Sequence, residues 1–140
     1  IDLQHLKRIA PALQTSLGKV LLADLTPEEL DAVLEQPSRS GITPRWQPSR
    51  QERDDALREV RARGWALTDE QLAPGIRSVA APLRGGSGRV IAALNVTVHA
   101  AETPLARLLE DYLPLLLRTA SAVSEDWTRY TALPEVVTSA

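Results

Sequence analysis

WALTDEQLAPGIRSVAAPLRGGSGRVIAALNVTVH, Trp65 to His99, reads as a short strand, a loop and a long β-hairpin. Alternation along the second arm sets Val90, Ala92, Leu94, Val96 and Val98 on one side, an unbroken apolar row that must pack against something. The opposite row is Ile91, Ala93, Asn95, Thr97 and His99. With Gly85-Gly86-Ser87-Gly88 as the turn, Arg84 pairs with Arg89, which sets Ser78 across from Asn95 and Ile76 across from Thr97. A solvated sheet face usually carries Lys, Glu, Arg or Gln; short Ser, Asn, Thr and Ala side chains leave space above them. The expectation is an enclosed void sized for a small polar ligand, with a plain wet face as its rival.

Outside the hairpin the pattern is helical. Leu13, Leu17, Val20 and Leu21 keep helical spacing between Ala12 and Leu25, predicting a buried helix. Thr26-Pro27-Glu28-Glu29 supplies a capping hydroxyl, a proline for the first turn and two carboxylates, opening a short helix to about Gln36. Pro37 to Ser49 is rich in turn formers and predicts a surface connection. Ser49 caps a further helix that Gly64 ends, with Asp54 and Arg58, and Glu59 and Arg63, spaced for ion pairs on its wet side. Thr103-Pro104 begins a last long helix whose apolar positions run from Leu105 to Trp127, interrupted at Pro114, where a kink or two abutting helices is expected. From Thr128 onward no pattern is sustained and a loosely held tail is expected. Helices around a small antiparallel sheet make this an α+β arrangement.

The 140 residues suit one domain with a single core. A net charge of −2 argues against nucleic-acid binding by this stretch, because phosphate recognition needs concentrated positive charge. Without cysteine, thiolate catalysis and cysteine metal sites are excluded, and no apolar run approaches the roughly 20 residues of a membrane span. The arginines of the Ser49–Gly64 helix are interleaved with acids, which favours a solvated face over a DNA-reading one.

Catalytic motifs are weak throughout. His5 and His99 sit in no metal or nucleophile pattern, and Ser16 in TSLGK lacks the strand-to-helix elbow, so close helix packing at Gly18 is the better account of that motif. GGSG joins two strands and is a turn, not a phosphate loop. Asp69 and Glu70 read as loop carboxylates that are either solvated or bonded to backbone amides of the turn, and Arg77 as the partner of a nearby acid.

Five segments in this order, QTSLGKVLL, LTPEEL, RGWALTDE, PGIRSVAAP and GRVIAALNV, resemble the effector-binding domain of the IclR family of bacterial transcription regulators from about Pro11 to Trp127. ALNVTVH is most similar to the branch that controls aromatic-acid catabolism, the protocatechuate, 4-hydroxybenzoate and β-ketoadipate regulators. The resemblance implies a GAF-like (profilin-like) sheet flanked by helices and a pocket for a small organic acid. Carried over by position, that pocket is lined by Ser16, Leu17, Gly18, Thr68, Asp69, Ile76, Ser78, Asn95 and Thr97. It further implies a cytoplasmic homodimer or homotetramer without cofactor or metal. Residues 1–140 would be a single effector-binding fragment that meets DNA only through a separate N-terminal winged helix-turn-helix. A small hydrolase-like enzyme using the Asp69, Ser78 and His99 region, and a pure oligomerisation module, stay open as alternatives.

Overall fold

The computed structural model describes Ile1 and residues 3–132. Its elements are α1 (Leu3–Ile9), a 3-10 turn (Ala12–Gln14), α2 (Ser16–Ala23), α3 (Pro27–Glu35), α4 (Arg50–Arg63), β1 (Ala66–Asp69), β2 (Ile76–Arg84), β3 (Val90–His99), α5 (Leu105–Arg107), a π-helical turn (Leu108–Tyr112) and α6 (Leu113–Ala132). The three strands form one antiparallel sheet in the order β1-β2-β3.

The sheet separates two apolar layers. On one face Ala66, Ala80 and Ala93 join Leu6, Val20, Leu22, Leu30, Leu57 and Val60 from the four N-terminal helices. Alanines on the strands let α2 lie close against the sheet, so these short side chains admit a helix where the sequence suggested open space. On the other face Val79, Ala81, Leu94, Val96 and Val98 pack against Leu108, Leu113, Leu116 and Ala120.

Local chemistry sets the helix ends. Thr26 and Glu29 form a reciprocal capping box on α3 with Pro27 in its first turn, and Ser49 and Glu52 do the same for α4, which stops at Gly64 in the left-handed region (φ 83°). The helix expected from Ala12 to Leu25 is instead split at Thr15, whose side chain accepts from the Gly18 amide and starts α2 afresh. α1 is an addition to the sequence-based expectation.

The last helix runs on to Ala132, past the loose tail expected from Thr128; residues 133–140 lie outside the described residues. Its predicted interruption is present, but as a π-helical turn just before Pro114. Proline offers no amide to the turn before it, and widening that turn is one way a helix continues through the defect.

The hairpin register differs from the simple expectation. Ser78 faces Thr97, Ile76 faces His99 and Ala80 faces Asn95, a slide of two residues. Two local events add to give it. Arg84 pairs with Val90 and not Arg89, because Gly85 donates to the Arg89 carbonyl and Gly88 to the Gly85 carbonyl, leaving a longer loop. Ile91 is then passed over between the pairs Arg84↔Val90 and Leu83↔Ala92, forming a bulge. Val90 therefore leaves the apolar row predicted for it and packs with the Ala93 layer.

On α4, Arg63 pairs with Glu59 as spaced, but Arg58 takes Asp55 and Asp54 takes Arg53, so the expected Asp54–Arg58 pair is replaced. Among the described residues no helix is long and apolar enough to cross a membrane.

Candidate functional site

The start of α2 meets the hydroxyl-bearing face of the sheet. Ser16 Oγ and Ser78 Oγ lie 2.7 Å apart, both buried. Thr68 is the β1 partner of Ser78 and is equally buried, yet its Oγ1 has no hydrogen-bond partner. An unsatisfied buried hydroxyl costs about 1–3 kcal/mol. Farther along the same face the Asn95 amide donates to Thr97 Oγ1 at 3.0 Å, with Asn95 half-buried and Thr97 exposed.

The nine residues carried over by resemblance are thus brought together unevenly. Ser16, Thr68 and Ser78 form one tight cluster, and Thr97 sits opposite Ser78 in the ladder. The void expected above Ser78 is occupied by Ser16, because α2 packs down onto the sheet, while Ile76 and Thr97 lie toward solvent at the far end of the hairpin. Leu17 is half-buried against the α2-side core. Gly18 is the residue that lets α2 sit so close: a Cβ there would lie 1.8 Å from the Ala12 carbonyl oxygen. Its amide is already given to the Thr15 hydroxyl. Asp69 is held by Arg77 at 2.7 Å, and Arg77 also donates to the Thr103 carbonyl, tying the end of β1 to the turn before α5.

Lys19, Gln71, Gln14 and Trp46 also shape this end of the molecule and were not singled out from the sequence. Lys19 is buried; its ammonium donates to the Leu67 carbonyl at 3.0 Å and to the Gln71 side chain, and lies 4.9 Å from the centre of the Trp46 ring. Burial first, and the nearby Arg63 charge second, lower its pKa from 10.5 to about 8 against the opposing pull of Glu59. Trp46 is pinned in turn, its amide donating to the Gln71 carbonyl and its carbonyl accepting from Gln14. The only sequence signal for Lys19 was its place three residues after Ser16, on a helix predicted to be buried.

Glu70 and His99, weighed in the sequence for catalysis, each make a local bond to a backbone amide. Glu70, in the left-handed region at φ 57°, accepts from the Gly75 amide, the second of the two roles open to a carboxylate in this loop. His99 Nδ1 accepts from the Ala101 amide. No group of three or more His, Cys, Asp or Glu is placed to hold a metal among the described residues.

The neutral hydroxyls of Ser16, Thr68 and Ser78 thus cluster at the start of α2, against the sheet. Residues 5–125 match the model of the bacterial transcriptional regulator IclR C-terminal domain. Among curated proteins the chain is 36% identical over 107 residues to the Pca regulon regulatory protein of Pseudomonas putida, covering 76% of this chain and 37% of that one. It is 33% identical to the Pca operon regulatory protein of Acinetobacter baylyi, over 83% of this chain and 42% of that protein. The chain therefore spans less than half the length of these relatives.

Among solved structures, a transcriptional regulator from Rhodococcus sp. RHA1 superposes with a TM-score of 0.76 at 42% identity, over 85% of this chain and 48% of that one. The inducer-binding domain of the Acinetobacter PobR transcription factor, a double mutant in complex with 3-hydroxybenzoic acid, gives 0.74 at 30% identity, over 82% and 68%. This chain belongs to the IclR family of bacterial transcriptional regulators, as its C-terminal effector-binding domain.

Proposed function

We propose that the effector is a small aromatic acid, bound where Ser16, Leu17 and Gly18 meet Thr68, Asp69, Ile76, Ser78, Asn95 and Thr97. The observation that carries this reading is the buried Thr68 hydroxyl with no partner, directly beside the Ser16–Ser78 pair. A ligand carboxylate here takes a hydrogen bond from Thr68 and replaces the Ser16–Ser78 contact, while Leu17 and Ile76 cover the carbon skeleton. The relatives named for the Pca regulon and operon, and the hydroxybenzoate in the PobR complex, support an aromatic acid over a short aliphatic one.

In this reading the domain works in a cytoplasmic homodimer or homotetramer and catalyses nothing, in keeping with the engagement of Asp69, Glu70 and His99 in structural bonds. Ligand binding shifts a conformational equilibrium felt by a winged helix-turn-helix outside these residues. Calorimetry with protocatechuate, 4-hydroxybenzoate, 3-hydroxybenzoate and short aliphatic acids tests it. Saturable binding of an aromatic acid without turnover, weakened by Asn95→Ala, is expected. Uniform silence across the panel, or conversion of the acid to a product, overturns it.

A further inference from the structure

A second concavity lies at the opposite end of α2, about 530 Å³ in volume, walled by α2, α3, α4 and the tip end of the hairpin. None of the nine residues of the hydroxyl site lines it. Its floor is apolar, made by Val20, Leu57, Val60 and Val90. Its rim is cationic, because the arginines among its lining residues outnumber the aspartates five to three.

The distribution of these charges matters more than their balance. Arg53 is only 14% exposed and already compensated, by Asp31 at 3.4 Å and Asp54 at 3.0 Å. Arg61 is not: it donates to the Ala23 carbonyl at 3.3 Å, and no carboxylate among the described residues lies within ion-pair distance of it. Arg84 donates to the Gly88 carbonyl at 2.8 Å, and its nearest carboxylate, Asp24, is 3.9 Å away. Asp24 in turn spends Oδ2 on the Val90 amide at 3.0 Å. Two guanidinium groups with incomplete compensation thus flank an apolar floor, a combination that suits a carboxylate carried on an apolar body.

We propose that this groove is a second binding site, for a small organic anion, with Arg61 and Arg84 holding the charged group and Val20, Leu57, Val60 and Val90 receiving the apolar part. It is separate from the hydroxyl site and does not depend on it. The test is benzoate binding to the chain carrying Thr68→Val and Ser78→Ala, which silences the hydroxyl site, followed by isothermal calorimetry and amide chemical shifts. Expected are saturable binding, shifts at Val60 and Val90, and a loss of at least about tenfold in affinity when Arg61→Gln and Arg84→Gln are added. Inorganic phosphate, which offers charge without an apolar body, should bind more weakly than benzoate. Absence of benzoate binding in the silenced background, indifference to the arginine substitutions, or phosphate binding as tight as benzoate would each overturn the proposal. Both arginines are exposed, so the substituted chain is expected to fold, and circular dichroism verifies it.

Discussion

The hydroxyls of Ser16 and Ser78, 62 residues apart in sequence, share a 2.7 Å hydrogen bond that joins the first turn of α2 to the middle of the sheet. Removing one partner leaves the other buried and unpaired, so Ser78→Ala should destabilise the free domain by about 1–2 kcal/mol. Urea unfolding with and without an aromatic acid separates two roles. If the hydroxyl also meets the ligand, the stabilisation gained on adding acid shrinks as well.

Thr68 gives the opposite sign. Its Oγ1 makes no hydrogen bond, so Thr68→Val, nearly the same shape, removes a buried polar atom that nothing satisfies. The free protein should hold its stability or gain up to about 1–2 kcal/mol, while affinity for the acid falls. A loss of stability without ligand would mean that the hydroxyl has a partner after all.

Lys19 makes stability depend on pH in a stated direction. Its folded pKa of about 8 lies below its ordinary 10.5, so between those values the unfolded chain binds more protons than the folded one. Stability contributed by this group therefore rises with pH through that window, by up to about 3 kcal/mol, and the full cost of burying the ammonium is felt below it. Denaturation midpoints for Lys19→Met should lose this upward slope relative to the parent chain.

Gly18 tests how close α2 must come. An added Cβ would meet the backbone carbonyl of Ala12 at 1.8 Å, and backbone cannot turn aside as a flexible side chain can. Gly18→Ala should cost about 3 kcal/mol or more, read as a fall in thermal midpoint. A near-unchanged midpoint would show that the 3-10 turn before α2 yields easily.

Much of this architecture was legible in the chain because its signals are local. The capping boxes at Thr26 and Ser49, the stop at Gly64 and the GGSG turn each follow from a few neighbouring residues. Alternation assigned Ser78, Asn95 and Thr97 to one face of the sheet correctly. What alternation could not supply was the depth of α2 over that face, which depends on Gly18 meeting Ala12 and on the alanines at positions 66, 80 and 93 of the three strands. The roles of Lys19 and Trp46 were hidden for the same reason: their partners, Leu67 and Gln71, are set by tertiary packing and leave no mark on spacing. The π-helical turn was anticipated as a defect at Pro114, but its kind was not, since a kink and a widened turn both answer a missing donor.

The hairpin carries a compensated frameshift. One additional residue in the tip would by itself invert every side chain of β3 beyond it, and one unpaired residue at Ile91 inverts them back. Either change alone would turn Asn95 and Thr97 toward the α6 side and Val96 toward the hydroxyls, whereas deleting one residue from the tip together with Ile91 would remove both irregularities, keep the faces and leave Ser78 opposite Thr97. The chemistry on this sheet is thus protected against length changes at its tip only when they come in pairs, and a double deletion of that kind would shorten the hairpin without moving Asn95 or Thr97 relative to Ser78.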